Sequence, residues 1–438
     1  MSYEIAEKYP LRIVKYQKKL EGGMVCNPET KEYSRLNKQG AKILEKCDGK
    51  KTVNDIVQEI SEETGINIKK IESSVAKFLK NVKGSLVTFN NQPQKVGMKY
   101  RVRNEDPSYS PPREIVIGVT NKCNLSCDHC MFDAGDYTEN EMSTEEIKKV
   151  IDDSYRCGAF DLIFTGGEPL LRDDLIELLE YAKSRGFDVG VISNGILVDE
   201  VDYKEIGELT DSFEISVDGS NKKVHEELRG DGWKETIKGC KLMSEVNSGF
   251  NIGSIIRPGT SFDELEKRIE LAIELEAKRI TFETPIELGR ADKNNLQVPV
   301  SEQKKFPRFF KKMVEKYGSE INIIYPGKMG TPLDKPDMDG LSCGLGDSCT
   351  IKSSGDVYPC PMFILDEFEL GNVRENSLDS ILSSSEIFKE MTNISIDKIN
   401  DCSDCEELGV RCAGGCRARA YVETGDIYGK SPCVFRSQ

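Results

Sequence analysis

Histidine and tryptophan are scarce in this 438-residue chain, which contains two histidines, His129 and His225, and one tryptophan. Zinc sites that mix cysteine with histidine therefore have few possible ligands. No run approaches the roughly 18 apolar residues of a membrane-spanning helix, and the first residues lack the uninterrupted apolar core of a signal peptide. We expect a cytoplasmic protein that makes no membrane contact.

Basic residues are also fewer than acidic residues. Lysine and arginine number 60 against 75 aspartates and glutamates, so the net charge is -15. Because binding to nucleic acid through phosphate contacts needs an excess of basic residues, we expect no nucleic-acid partner. Hydrophobic residues make up 38% of the chain and charged residues 31%. At this length, that balance excludes disordered and fibrous proteins and is sufficient for two or three folded domains.

Cysteine, by contrast, is abundant, with 15 residues. Since disulfides are rare in a reducing compartment, these thiols predict metal ligation, either in all-cysteine zinc sites or in iron–sulfur clusters. Three of them lie close together: Cys123, Cys127 and Cys130. Eight crowd the end of the chain: Cys343, Cys349, Cys360, Cys402, Cys405, Cys412, Cys416 and Cys433. Four are isolated and are expected to be small buried hydrophobes: Cys26, Cys47, Cys157 and Cys240.

Changes in pattern divide the chain into four segments. Residues 1–90 combine short strands with helical spacing and predict a small α+β domain of winged-helix type. Residues 91–112 are polar, end in a double proline and predict a linker. Residues 113–330 alternate six short apolar strands with amphipathic helices, which predicts an α/β fold with a parallel sheet, either open or curved into a partial barrel. Residues 331–438 form the cysteine-rich part.

Candidate chemistry follows the predicted strands of the third segment. The loop NKCNLSCDHC follows the first strand, GGEP the second, NG the third and DG the fourth. In parallel α/β folds, active sites collect at these carboxyl ends. The first loop offers three thiolates, one fewer than a closed zinc site or a fully ligated 4Fe–4S cluster needs, so we expect a metal site with an open position.

The motif CNLSCDHC, with Cys123, Cys127 and Cys130, together with TGGEP at residues 165–169, resembles the radical S-adenosylmethionine (SAM) enzymes. The resemblance implies a partial (β/α)6 barrel over residues 113–330. The three cysteines would hold a 4Fe–4S cluster whose fourth iron is chelated by the methionine moiety of SAM. An external one-electron reductant of flavodoxin or ferredoxin type would start the reaction, and the resulting 5'-deoxyadenosyl radical would abstract hydrogen from a substrate.

The resemblance also assigns contacts to SAM. Gly166 and Gly167 would let the backbone approach the methionine group, and Glu168 would accept a hydrogen bond from its ammonium. His129 occupies the place of a residue that lies beside the adenine in the family, the alternative being a solvated loop histidine. Arg229 is a candidate for binding a carboxylate, or else an exposed arginine at a helix end. Further contacts to the ribose and the methionine carboxylate are expected from Ser193, Asn194, Ser216 and Asp218.

The eight C-terminal cysteines equal two complete four-cysteine sites, of zinc or of iron and sulfur. Their pattern resembles the SPASM extension of peptide-modifying radical enzymes, which implies two auxiliary 4Fe–4S clusters and three clusters in all. Carried over in order, the first auxiliary set is Cys343, Cys349, Cys360 and Cys416, and the second is Cys402, Cys405, Cys412 and Cys433. One departure is the six residues between the second and third ligands of the second set, where the usual pattern has five.

The N-terminal stretch YSRLNKQGAKILEKCDGKKTVNDIV and the helix predicted over 68–82 resemble the domain that binds leader peptides of ribosomally made natural products, as in pyrroloquinoline quinone biosynthesis. The resemblance implies that residues 1–90 bind the leader of a precursor peptide as an added strand. Such tethering raises the effective concentration of the rest of the peptide at the barrel.

Together these patterns predict a peptide maturase similar to sactisynthases, ranthipeptide synthases and the pyrroloquinoline quinone maturase. The expected reaction is an intramolecular cross-link, with a thioether favoured on family frequency and carbon–carbon or carbon–oxygen links open. One alternative is a SPASM enzyme that acts on a tetrapyrrole or forms formylglycine in a sulfatase. Another is a non-catalytic iron–sulfur or zinc protein, against which the open three-cysteine loop and GGEP argue.

Overall fold

The computed structural model describes residues 6–12, 15–19, 22–26, 33–95, 102–103, 109, 111–135, 140–247, 249–326, 345–394, 398–400, 402, 405, 414–431 and 433. The chain divides into two compact units. The first comprises Met1–Arg113 with Asp152–Phe160 and Arg185–Phe187. The second comprises Glu114–Ile151, Asp161–Ser184 and Asp188–Gln438.

Among the described residues up to Arg113, the first unit contains two small sheets and three helices. The strands are β1 (Tyr9–Arg12), β2 (Lys15–Lys19), β3 (Gly22–Cys26), β4 (Tyr33–Leu36), β5 (Val87–Asn90) and β6 (Val102–Arg103). The helices are α1 (Lys38–Lys46), α2 (Val53–Thr64) and α3 (Ile68–Val82). Strands β1 and β5 pair antiparallel, while the other four form a sheet in the order β4-β3-β2-β6. Strand β6 lies within residues 91–112, so the segment predicted to be a linker contributes a strand.

Local sequence explains the helices of this unit. Helix α2 begins with a capping box, in which the Thr52 side chain accepts from the backbone N–H of Asp55 and the Asp55 carboxylate accepts from that of Thr52. It ends at Gly65, whose positive φ of 66° suits glycine. Its apolar residues recur at helical spacing and are buried: Val53, Ile56, Val57 and Ile60. They pack with α1 and α3 into one apolar core.

The second unit is built on a ten-stranded sheet in the order β13-β12-β11-β10-β9-β8-β7-β14-β15-β16. These strands are β7 (Glu114–Thr120), β8 (Asp161–Gly166), β9 (Asp188–Ser193), β10 (Ser212–Ser216), β11 (Phe250–Ile255), β12 (Arg279–Glu283), β13 (Asn322–Ile324), β14 (Ser348–Ile351), β15 (Asp356–Tyr358) and β16 (Gly371–Asn372). Neighbours from β13 to β14 are parallel, and the last two pairings are antiparallel. The predicted α/β class is confirmed, and all six predicted strands form.

Helices connect these strands. After residue 113 they are α4 (Thr144–Cys157), α5 (Leu175–Ser184), α6 (Tyr203–Leu209), α7 (Lys222–Arg229), α8 (Trp233–Val246), α9 (Phe262–Glu274), α10 (Gly289–Lys293), α11 (Val300–Gln303), α12 (Phe306–Tyr317), α13 (Leu378–Ser384), α14 (Glu386–Thr392) and α15 (Arg417–Thr424). None of the described helices is both long enough and apolar enough to cross a membrane.

Strand alternation gives the sheet two different faces. Along β10 and β12 the fully buried side chains are Phe213, Ile215, Ile280 and Phe282, on the side where α8 and α9 pack. Because successive side chains point to opposite faces, Glu214, Arg279 and Glu283 lie on the other side, here called the inner face. The strand ends at its upper edge carry the candidate site.

Candidate functional site

The loop after β7 places the three clustered cysteines at the carboxyl edge of the sheet. Its backbone folds back on itself, since the Cys123 N–H donates to the Gly135 carbonyl at 2.9 Å and the Gly135 N–H donates to that of Asn121 at 3.1 Å. Burial raises the pKa of the Cys123 thiol to about 11, and it also raises the pKa of Cys127. Thiolates therefore form here when a cation binds and compensates their charge.

The GGEP turn after β8 lies against the start of this loop. A Cβ on Gly166 would lie 2.1 Å from the Thr120 carbonyl oxygen, and one on Gly167 would lie 2.0 Å from that of Lys122. The N–H groups of Gly167 and Glu168 donate to the same two carbonyls, each at 2.7 Å. Both glycines are thus required for the close approach of the turn to the cysteine loop.

Glu168 joins the ends of β8 and β9. Its side chain is fully buried, and it accepts from the Ser193 hydroxyl at 2.8 Å, from the Asn194 N–H at 2.8 Å and from the Leu170 N–H at 3.1 Å. Burial nevertheless raises the pKa of this carboxyl to about 7. The structure therefore brings together three predicted site residues, and the Asn194 side chain extends the network to Asn124, between Cys123 and Cys127, at 2.7 Å.

Asp218 and Arg229 form a buried ion pair beside Cys127. Arg229 Nε donates to Asp218 Oδ2 at 2.5 Å, and the Ile255 N–H donates to Oδ1 at 2.6 Å. Burial raises the pKa of Asp218, but the Arg229 guanidinium and the Ile255 N–H, with other nearby charges, outweigh it and hold that pKa below its usual value. Arg229 Nη1 lies 4.0 Å from Cys127 Sγ. With its side chain 11% exposed, Arg229 is not the exposed helix-end arginine considered as the alternative.

The His129 side chain lies next to this pair and is only 11% exposed, which excludes a solvated loop histidine. Its Nε2 lies 3.6 Å from Asp218 Oδ2. Burial lowers the pKa of the ring to about 4, so the imidazole is neutral. Its Nδ1 is buried without a hydrogen-bond partner among the described residues. A buried polar atom without a partner is costly in a protein alone and fits a site that receives a ligand. Ser216 ends β10 on the inner face and is half-buried.

Arg290 is a site residue that the sequence did not reveal. It lies in α10 after β12, and its Nε donates to the Cys127 carbonyl at 2.8 Å and its Nη1 to the Ala134 carbonyl at 2.7 Å. Its own N–H donates to the Cys130 carbonyl at 2.9 Å. Because 163 positions separate it from Cys127, no spacing motif connects the two.

Six of the eight C-terminal cysteines lie in the described part of the chain, whereas Cys343 and Cys412 lie outside the described residues. Cys349 is fully buried and its thiol donates to the Tyr358 carbonyl at 3.3 Å. Three others pack on one apolar cluster that includes Phe363 and Ala418: Cys360, Cys402 and Cys416. The remaining two, Cys405 and Cys433, are half-buried. The four isolated cysteines are buried, as predicted: Cys26, Cys47, Cys157 and Cys240.

The donor set of the cysteine loop fits an iron–sulfur cluster. Within the described ranges, no three His, Cys, Asp or Glu side chains converge on one point as ligands of a single metal ion. The fit therefore rests on chemistry: three thiols on one loop, a guanidinium beside Cys127, and an unpartnered His129 Nδ1. Cys123, Cys127 and Cys130 would hold the cluster.

Comparison with known proteins identifies this arrangement. The model of the radical SAM superfamily matches residues 117–272, the stretch that contains the three cysteines and GGEP. The chain belongs to the radical SAM superfamily. In this radical SAM enzyme, a SPASM iron-sulfur cluster-binding domain matches residues 343–406, and the model of coenzyme PQQ synthesis protein D (PqqD) matches residues 22–84. The family predicted from the motifs is confirmed.

Relatives of this radical SAM enzyme carry different activities. An AdoMet-dependent heme synthase of Methanosarcina barkeri is 29% identical over 352 residues, covering 74% of this chain and 97% of the relative. The mycofactocin maturase MftC of Mycolicibacterium smegmatis is 29% identical over 325 residues, covering 72% and 81%. The crystal structure of Streptococcus suis SuiB bound to S-adenosylmethionine has a TM-score of 0.70 to this chain at 16% identity, and the match covers 97% of this chain and 99% of SuiB. The structure of SuiB bound to precursor peptide SuiA has a TM-score of 0.68. At this low identity, the likeness to SuiB shows a shared fold alone.

Proposed function

We propose that this enzyme matures a ribosomally made precursor peptide by closing an intramolecular cross-link, with a thioether favoured. The observation that carries the proposal is the PqqD match over residues 22–84 in the same chain as the radical SAM and SPASM domains. An enzyme for a small tetrapyrrole has no need of a leader-binding domain. Sequence identity does not separate the two, since the heme synthase and the mycofactocin maturase are both 29% identical to the chain.

The leader of the precursor is proposed to bind the first unit as an added strand along β4. In the four-stranded sheet, β6 pairs with β2, so the free edge of β2 is already occupied by a strand of this chain. The order β4-β3-β2-β6 leaves β4 at the opposite end. An edge strand presents unpaired backbone groups that a peptide can bind.

The residues around the cysteine loop have separate proposed roles. When bound, the cluster and SAM would supply a radical able to take hydrogen from an unactivated carbon. Glu168 accepts three hydrogen bonds from the protein, and since a carboxylate offers about four acceptor positions, one is left for the ammonium of methionine. Arg229 would bind the methionine carboxylate, and His129 would bind the adenine through Nδ1. Ser193, Asn194, Ser216 and Asp218 would support or contact the ribose and the methionine carboxylate.

The C-terminal cysteines are proposed to hold two further 4Fe–4S clusters, in the sets given by the SPASM pattern. The radical left on the peptide after hydrogen abstraction must lose an electron when the cross-link closes, and an auxiliary cluster is a suitable acceptor. The electron that starts each cycle would come from an external flavodoxin or ferredoxin. We also propose the cytoplasm as the location, where thiols remain reduced.

Iron analysis tests the cluster assignments. We expect about twelve irons per chain in anaerobically reconstituted protein, from three four-iron clusters. A variant with Cys123→Ala, Cys127→Ala and Cys130→Ala should retain about eight. A count of about four in the wild-type protein, with zinc in place of the rest, would contradict the auxiliary clusters but not the radical site.

Mass spectrometry tests the peptide assignment. Candidate precursors are the short peptides encoded beside the gene, each incubated with enzyme, SAM and reductant. A product two hydrogens lighter, with one new cross-link, would support the proposal. Formation of 5'-deoxyadenosine without any change in peptide mass, combined with turnover of a tetrapyrrole, would establish the alternative instead.

A further inference from the structure

One short segment of the second unit touches the cysteine loop along most of its length. This segment, residues 284–294, comprises the connection after β12 and helix α10, and is called the brace below. Most of its contacts go to backbone carbonyls of the loop, so they depend mainly on the shape of the loop. In addition, the Asp133 carboxylate of the loop accepts from Arg290 Nη1 at 3.1 Å and from Lys293 Nζ at 2.5 Å.

Arg290 is the main contact of the brace. It binds the carbonyls of Cys127, Cys130 and Ala134 with two side-chain donors and its own N–H. Arg290 therefore fixes the loop and places a positive charge near one ligand.

Two neighbours of Arg290 complete the attachment. At Gly289 φ is +57°, and an added Cβ would lie 2.6 Å from the Cys130 carbonyl oxygen and 2.7 Å from that of Met131. Asn294 Nδ2 donates to the Asp128 carbonyl at 2.9 Å. The brace and the loop are thus packed backbone to backbone, with no space for a side chain at residue 289.

The other end of the brace is attached to the cysteine-rich part. Arg419 lies in α15, three residues after Cys416, and its Nη2 donates to the Thr284 carbonyl at 2.6 Å and lies 3.3 Å from that of Pro285. Within the brace, Ile286 and Leu288 lie between the residues bound by Arg419 and Arg290 itself. Both are buried, with exposures of 6% and 8%. A well-anchored segment therefore joins the helix after Cys416 to the loop of Cys127.

We propose that the brace positions the radical cluster, with Arg290 as the positioning residue and Arg419 as the anchor that links this loop to the auxiliary-cluster part. The inference rests on the proposed cluster at Cys123, Cys127 and Cys130 and is independent of the peptide. Arg290 has two separable effects: its hydrogen bonds hold the loop, and its charge favours the reduced cluster.

Three substitutions separate these effects in the full-length, reconstituted protein. Arg290→Gln removes the charge and most of the hydrogen bonds, so we expect the SAM-responsive cluster to lose iron to a chelator about 10-fold faster, the effect typical of residues that orient metal ligands. The midpoint potential of this cluster should become more negative.

Arg290→Lys keeps the positive charge, so the midpoint potential should stay at the wild-type value while the cluster still loses iron faster. Arg419→Gln should speed iron loss from the same cluster, and the Arg290→Gln, Arg419→Gln double variant should show less than the product of the two effects.

The control is Arg257→Gln, which changes an arginine in the loop after β11. It pairs with Glu227 near the surface, and its replacement should leave every readout unchanged. The signal is assigned by electron paramagnetic resonance, because the radical cluster is the one whose spectrum changes on adding SAM. Circular dichroism verifies folding, and if Arg290→Gln does not fold, Arg290→Lys still tests the loop-holding effect. Wild-type iron retention and potential in both Arg290 variants would overturn the inference, whereas a wild-type protein without a SAM-responsive cluster would overturn the proposed site itself.

Discussion

At the scale of single residues, the site is dominated by buried charge that is compensated locally. Asp218 carries its charge because Arg229 and the Ile255 N–H bind it, and His129 stays neutral because burial lowers its pKa. Glu168 is held by three donors. Asp218 and Glu168 therefore depend on specific partners, and removing one of those partners should lower stability measurably.

Removal of the Asp218 charge should be costly. Asp218→Asn leaves the Arg229 guanidinium buried without its counter-ion, and breaking such a buried pair costs about 3–5 kcal/mol. Denaturant unfolding should show this loss, while Asp263→Asn, at an exposed surface pair, should change stability by less than about 1 kcal/mol. Equal stability of the two variants would contradict a charged Asp218.

Glu214 should make stability depend on pH. Burial raises its pKa to about 7, with Arg279 at 3.8 Å lowering it only in part. Since the folded-state pKa lies above the unfolded value of about 4.3, the associated stability is complete below that value and is lost as the pH rises through 7. Glu214→Gln should therefore be more stable than wild type at pH 8 by about 1–3 kcal/mol. The two proteins should converge near pH 4, and a constant difference across this range would contradict the shift.

At the scale of elements, strand ends and the loops that follow them define the site. The turn after β8 touches the cysteine loop through Gly166 and Gly167, and the segment after β12 touches it through Arg290. The site is therefore an assembly of loops held by backbone contacts.

Gly167→Ala tests the contact between two of these loops. The added Cβ would lie 2.0 Å from the Lys122 carbonyl oxygen, so one loop must move, at a cost of about 1–3 kcal/mol. We expect lower thermal stability and weaker SAM binding by calorimetry. Gly135→Ala is the matched control in the cysteine loop, because an added Cβ there would have none of the described residues within 4 Å. Similar behaviour of both variants would show that the contact is unimportant.

Sequence periodicity predicted the elements that depend on local pattern. The six strands β7–β12 were recognisable because their apolar runs alternate with amphipathic helices, and the cysteine loop and GGEP were placed correctly at strand ends. The pairing of β14 with β7 and the contacts of Arg290 were not recognisable, because they join residues far apart in the chain. The short strand β6 lies in a polar segment and has no apolar pattern of its own. Its backbone pairing with β2 defines it as a strand, and side-chain patterns do not indicate such pairing.

At the scale of the whole molecule, the leader-binding proposal predicts a large effect of tethering. The full-length enzyme should cross-link a precursor that carries its leader about 100-fold to 10,000-fold more efficiently than the same core peptide alone. The comparison is made by mass spectrometry at limiting peptide concentration, with a scrambled leader of equal length as control. Equal rates for the three peptides would show that residues 1–90 do not take part in substrate recognition.

The parallel pairing of β14 with β7 has a consequence for truncated forms of the protein. Ser348–Ile351 continues the sheet beyond β7 in register with Glu114–Ile117. A chain shortened before residue 345 would leave the backbone groups along that side of β7 without a partner, on a strand whose residues are almost all buried. Such an apolar, unprotected edge is a template for intermolecular pairing, so expression of residues 113–344 by themselves should yield aggregates.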